Sequence, residues 1–253
     1  MILPKLIAHR GASAYAPENT LSAMHKAKQI GAEWVEFDVQ LTADFEAVVF
    51  HDDEIDRTTN GSGPVIDKTL AELRQLDAGS WFAPTFTGEK IATLAEIVDC
   101  LREEALLMNV EIKPGPSQTD QLILAIDAVL KIHWPAGLAS PLLSSFNWNY
   151  LYLIKNLKLG YPLAILMHEW QEDWLDHAKA LNCVSVNVNE NLLTLERVSL
   201  IKQAGFGLLA YTVNTVSRAQ QLYEWGVDGL FTDYIDLLKP VVNAQKMISS
   251  KTG

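Results

Sequence analysis

The sequence predicts one α/β domain folded as a (β/α)8 barrel. Three observations carry that expectation. Short apolar runs alternate along the chain with longer segments of helical period, the pattern of parallel strands joined by crossover helices. About eight such units fit into about 240 residues, the usual size of one barrel. Chemistry-bearing residues fall at the C-terminal ends of several runs, the rim on which barrel active sites are built. A doubly wound sheet is the second choice, weakened for dinucleotides because no G-x-G-x-x-G follows the first strand.

The strand candidates, in order, are Lys5–His9, Trp34–Val39, Ala47–His51, Leu106–Lys113, Leu142–Ser145, Pro162–Met167, Val184–Val188, Leu208–Val213 and Gly229–Thr232. Amphipathic stretches such as "NTLSAMHKAKQIGA", "TLAEIVDCLREE", "SQTDQLILAIDAVLKI", "TLERVSLIKQAG" and "TVSRAQQLYEWG" lie between them, several ending in a helix-stopping glycine. From Asp52 to Lys90 the rhythm breaks into turn-rich sequence with a helical piece near Leu70–Leu76, read as an insertion rather than a second domain. The tail after Pro240 is polar and is expected to fray.

Composition narrows the function. The 253 residues are 49% hydrophobic and 20% charged, an ordinary globular balance. The formal net charge of -11 opposes binding to nucleic acid or to anionic membranes, so a small molecule is the expected partner. An anionic substrate would need local positive charge, from placed cations or a bound metal. Cys100 and Cys183 form no CxxC pair and read as buried small apolar residues. No leader peptide or apolar run of membrane-spanning length is visible, so a cytoplasmic protein without a membrane anchor is expected. The oligomeric state is left open, a homo-oligomer included.

Strand periodicity places the candidate site. Side chains alternate faces along a strand, so in "EWVEFDVQLT" Glu36 and Asp38 share one face while Val35, Phe37 and Val39 share the other. In "LLMNVEIKPG" Asn109, Glu111 and Lys113 form the polar set. "LIAHRG" and "VVFHDD" place His9 and His51 at the ends of their runs, with Arg10 beside His9. Three carboxylates, two histidines and two cations thus converge on one rim. Carboxylates so grouped repel unless a cation neutralises them, and oxygen-only ligands favour Mg²⁺ or Ca²⁺ over Zn²⁺. The histidines at 25, 133, 168 and 177, and Glu18 and Asn19 of "APENT", read as structural; Asn19 or Thr20 is the expected helix cap. No HxH, HExxH, GxSxG or GKS/T pattern occurs, which leaves zinc, serine-hydrolase and nucleotide-triphosphatase readings without support.

The motifs "HRG" with "PENT", "EFDVQLT", "HDD", "TTNGSGPV", "LDAGSWF", "NVEIK", "LLSSF", "YTVN" and "GVDGLFTDYID", in this order, resemble the glycerophosphodiester phosphodiesterase family over nearly the whole chain, the cytosolic bacterial members above all. The resemblance implies a TIM barrel with a small insertion after the second barrel strand. It implies His9 and His51 as the catalytic pair, and Glu36, Asp38 and Glu111 as ligands of one divalent cation. Arg10 and Lys113 match phosphate contacts, and Tyr211 stands where many members have tryptophan, as a wall for the glycerol portion. The implied activity is hydrolysis of glycerophosphodiesters to sn-glycerol 3-phosphate and an alcohol, with His9 as base and His51 as acid. A lysophospholipase D-like activity and a non-catalytic metal-binding barrel are the alternatives.

Overall fold

Leu6–His9 is the first strand of a ring. The computed structural model describes residues 2–113, 115 and 119–249. Within them lie β1 (Leu6–His9), β2 (Trp34–Leu41), β3 (Ala47–Val49), β4 (Leu107–Ile112), β5 (Leu142–Ser145), β6 (Leu163–Met167), β7 (Ser185–Asn189), β8 (Gly207–Tyr211) and β9 (Gly229–Thr232). The sheet runs β1-β9-β8-β7-β6-β5-β4-β2-β3, and a further β1–β2 pairing closes eight parallel strands into a barrel. Helices α1 (Leu21–Gln29), α2 (Leu70–Leu73), α3 (Leu94–Glu103), α4 (Thr119–His133), α5 (Trp148–Asn156), α6 (Trp174–Leu181), α7 (Leu195–Gln203), α8 (Val216–Trp225) and α9 (Ile235–Ser249) accompany it.

The two-residue period explains the layering. Val35, Phe37 and Val39 of β2 are fully buried and belong to one apolar cluster with helix residues such as Met24, Leu94 and Ile97. The opposite set points into the barrel. Ile7, Trp34, Leu142, Ala164, Leu209 and Phe231 form an apolar floor inside the ring. Glu36 and Asp38 lie further along β2, toward the C-terminal rim, and are buried. Local signals fix the helix starts: Thr20 caps α1 by accepting from the Ala23 amide, and Thr93 with Glu96 forms a capping box on α3.

Two expectations need correction. The Ala47–His51 run is not a barrel strand: β3 is antiparallel to β2, outside the ring, and ends at Val49. Strand β2 overshoots the rim and β3 turns back along it, Val39 facing Val49. The Phe50 amide donates to the Asp38 carbonyl at 3.0 Å, so His51 reaches the rim from outside the ring. The tail after Pro240 continues as helix to Ser249, because Leu238, Val241 and Val242 are buried and hold the helix to the barrel; residues 250–253 lie outside the described residues. The helix expected from Ser117 is seen from Thr119, Ser117 and Gln118 also lying outside them. The insertion has a core of its own, formed by Val48, Phe50, Ile55, Val65, Leu73, Ala78 and Ile91.

Candidate active site

The chain turns sharply after β1. Arg10 has φ +56° and Gly11 +78°, the left-handed region that costs a non-glycine residue energy and recurs at functional sites. A Cβ on Gly11 would stand 2.8 Å from the Cβ and carbonyl carbon of Ala23, so glycine serves both the turn and the approach of α1. The turn is tied to β2: the Arg10 amide donates to Glu36 Oε2 at 3.0 Å, and the Gly11 amide to the Glu36 carbonyl at 3.2 Å.

Glu36, Asp38 and Glu111 each offer an oxygen, all within 4.8 Å of one another. Register brings them together, since β2 and β4 pair Glu36 with Asn109 and Asp38 with Glu111. Burial and the charges of Asp38 and Glu111 raise the pKa of Glu36 well above the usual carboxylate value. Burial and Asp38 also raise that of Glu111. Burial works against the charge of Asp38 too, but Lys113, Arg10 and His51 outweigh it and lower its pKa. Lys113 Nζ lies 2.9 Å from Asp38 Oδ1 and 2.5 Å from Glu111 Oε1. Arg10 Nε is 3.6 Å from Asp38 Oδ2, and Asn19 Nδ2 donates to the same oxygen at 2.8 Å. Among the described residues Glu36 Oε1, which is buried, has no hydrogen-bond partner. An orphaned buried carboxylate oxygen beside two further carboxylates fits a hard divalent cation.

Each candidate histidine is held by a carboxylate. His9 Nδ1 lies 2.7 Å from Asp233 Oδ1, and Asp233 also accepts from Ser13 Oγ at 2.8 Å and Asn214 Nδ2 at 2.6 Å. His51 Nδ1 lies 2.6 Å from Asp52 Oδ1. A carboxylate can only accept, so each Nδ1 carries a proton and Nε2 is left as the acceptor in the neutral ring. Burial lowers the pKa of His51, Lys113 and Arg10 adding to the effect against Asp38. Burial opposes the charge of Asp233, but the hydrogen bond from His9 and those from Asn214 and Ser13 outweigh it and hold its pKa near 2.

That depression has a consequence for acid stability. A carboxyl that ionises near 2 when folded and near 3.9 when unfolded contributes about 2.6 kcal/mol above pH ~4, lost as pH falls through about 2. Asp233→Asn removes this dependence. Urea unfolding at pH 6 and pH 3 should show a smaller loss of stability for the variant than for the parent; equal losses would contradict the depressed pKa.

His9, Arg10, His51, Glu111, Lys113 and Tyr211 line one cavity of about 590 Å³ at the rim, together with Phe146, His168, Asn189, Asn191 and Thr212. One half is charged. The other is aromatic and neutral: Phe146 and Tyr211 meet edge to face at 5.8 Å, and the Tyr211 hydroxyl donates to the Met167 carbonyl at 2.8 Å, which fixes the ring as a wall. A larger cavity of about 890 Å³ opens at the N-terminal ends of β2, β4, β6 and β7, but its lining holds none of the histidines or carboxylates above.

The expected site residues therefore come together, with Glu36 and Asp38 buried beside Glu111. Sequence reasoning missed others. His168, read as structural, lines the cavity, whereas His25, His133 and His177 lie against Glu104, Asp99 and Tyr152. Asn19 bonds Asp38 rather than capping a helix. Asp233 was within reach of the two-residue period: Phe231 faces the barrel interior, and Asp233 is the next position in that series.

Comparison with known proteins agrees with the barrel. Residues 9–237 match the model of the glycerophosphoryl diester phosphodiesterase family. A glycerophosphodiester phosphodiesterase of Caldanaerobacter subterraneus is 37% identical over 237 residues, 90% of this chain and 93% of that protein. One from Bacillus subtilis is 34% identical over 252 residues, 93% of this chain and 85% of that protein. The structure of an Oleispira antarctica phosphodiesterase in complex with the product sn-glycerol 3-phosphate superposes with a TM-score of 0.92 at 39% identity, covering 95% of this chain and 97% of that one. With a barrel, a rim site and a match along nearly its whole length, the chain belongs to the glycerophosphoryl diester phosphodiesterase family.

Proposed function

We propose that the rim cavity hydrolyses glycerophosphodiesters to sn-glycerol 3-phosphate and an alcohol through His9 and His51, with one Mg²⁺ or Ca²⁺ held by Glu36, Asp38 and Glu111. One observation carries this reading: two carboxylate-backed imidazoles face the same cavity as two cations and a buried acidic cluster. A bound cation would neutralise the carboxylates and stabilise charge on the phosphate. Arg10 and Lys113 hold the phosphate by charge-assisted hydrogen bonds. Burial opposes the charge on both, but Asp38 and the neighbouring acids outweigh it and raise both pKa values, so both are protonated at neutral pH.

His9 removes the proton from the nucleophile, and Asp233 stabilises the imidazolium that results. His51 donates to the leaving oxygen from its protonated form, in which Nε2 as well as Nδ1 carries a proton. The neutral wall of Phe146 and Tyr211 takes the glycerol portion, which carries hydroxyls but no charge. The nucleophile is the substrate's own hydroxyl next to the phosphoester. Internal attack gains from effective molarities of about 10⁵–10⁸ M and gives a cyclic glycerol phosphate, which water then opens with the two histidines exchanging roles.

The test is release of glycerol 3-phosphate from glycerophosphocholine, beside an analogue in which that hydroxyl is replaced by hydrogen. The parent compound is expected to turn over, and the analogue to bind but hardly react. Equal rates would make water the nucleophile and end the cyclic route. No glycerol 3-phosphate from any glycerophosphodiester would end the reading itself.

A further inference from the structure

Between Arg10 and His51 runs a chain of charges that the mechanism does not use. Arg10 Nη1 donates to Glu18 Oε1 at 2.7 Å. Arg57 Nη2 and Nη1 donate to Glu18 Oε1 and Oε2 at 2.7 and 2.9 Å. Arg57 Nε and Nη2 then donate to Asp52 Oδ2 and Oδ1 at 2.6 and 3.0 Å, and Asp52 holds His51. Neither Glu18 nor Arg57 lines the rim cavity. Glu18 belongs to the loop after β1, whereas Arg57 belongs to the insertion. Exposed ion pairs contribute little, but this guanidinium is bidentate to two carboxylates at once, and Glu18 is only 13% exposed.

We propose that Glu18 and Arg57 are positioning residues that act as one unit, clamping the insertion to the first loop so that the phosphate-facing Arg10 and the ring of His51 keep a fixed relative geometry. The inference rests on the roles given to Arg10 and His51 above. Its physical content is that His51 arrives on a strand outside the ring, so the barrel's own hydrogen bonds end at Phe50. Beyond Phe50, Gln40 Nε2 donates to the carbonyls of His51 and Asp52, which fixes backbone. The ring itself is oriented by Asp52, and Asp52 by Arg57. A misplacement of about 1 Å in such a group can cost of the order of 10²-fold in rate.

The test is steady-state kinetics on a glycerophosphodiester that the parent hydrolyses, at a temperature well below every variant's melt. Arg57→Met frees Asp52 but leaves the direct Arg10–Glu18 hydrogen bond in place, so kcat should fall about tenfold or more with KM within about twofold of the parent. Glu18→Gln removes the charge that Arg10 and Arg57 share and leaves one acceptor oxygen where two stood, loosening both guanidiniums, so kcat should fall as far and KM should rise at least about threefold. The double variant should match Glu18→Gln in kcat, because the same chain is already broken. Arg57→Lys, which reaches one carboxylate at a time, should recover part of the lost kcat, and it replaces Arg57→Met should that variant not fold. A purely structural role would move the melting temperature and leave kcat and KM in place. A parental kcat for either single variant, or a double variant whose loss is the product of the two, overturns the inference. Failure of the underlying reading shows elsewhere: His51→Ala and Arg10→Met would then keep parental kinetics.

Discussion

His51→Ala is expected to lower kcat by roughly 10²- to 10⁴-fold while the fold and metal affinity persist. The side chain makes one hydrogen bond, through Nδ1 to Asp52, and is 31% exposed, so its loss opens no cavity in the apolar core. On the proposed mechanism it removes the proton donor to the leaving alkoxide. His9→Ala should cost a similar factor, since Asp233 without the ring cannot take up the proton. His133→Ala and His177→Ala should stay within a few-fold of the parent, because those rings lie against Asp99 and Tyr152, away from the cavity lining. Initial rates of glycerol 3-phosphate release check all four. A His51→Ala enzyme near parental turnover would remove that residue from the mechanism, and a large loss at His133 or His177 would show that the wrong pair had been chosen.

Chelation is expected to abolish turnover and to lower the melting temperature by about 5–10 °C. The acids that would hold the ion sit within 4.8 Å of one another, and Glu36 and Glu111 have raised pKa values, burial being the main cause and like charge the next. A cation binding only the folded chain at about 100 times its dissociation constant adds about 2.7 kcal/mol. Glu111→Gln removes one charge from the set and should weaken metal affinity, with turnover partly restored by excess metal. Melts run with chelator, then with added Mg²⁺ or Ca²⁺, separate the outcomes. Superimposable melts would show that Lys113 and Arg10 alone balance the three acids. Activity insensitive to chelator would show that the reaction needs no ion.

Much of this site is legible in one strand at a time. Alternation along β2 and β4 put Glu36, Asp38 and Glu111 on one face and Val35, Phe37 and Val39 on the other, because the pleat forces successive side chains apart whatever the surroundings. Composition and alternation of elements pointed to a barrel, and motif resemblance supplied roles for His9, His51, Arg10 and Lys113. The short run around Val48 was also read as a strand, but its direction was not. A two-residue period is the same read up or down, so nothing in "AVVF" distinguishes a barrel strand from one that folds back antiparallel outside the ring.

Partnerships between distant residues were the second blind spot. Glu18 and Arg57 are 39 positions apart, and His9 and Asp233 are 224 apart. Glu18, Arg57 and Asp233 are each an ordinary polar residue in its own loop. What makes Asp233 the partner of His9 is that β9 pairs with β1, and that is settled only when the ring closes. His168 carries the same local signal as His9 and His51, standing just past the apolar run of β6, but only the closed ring puts it in their cavity. The sequence by itself determined which residues face inward and which chemistry they bring, because periodicity and side-chain type are local properties. Tertiary structure alone decided which distant charges meet, which nitrogen of His9 is left free and which aromatic rings wall the cavity, because each depends on the closure of eight strands around a common axis.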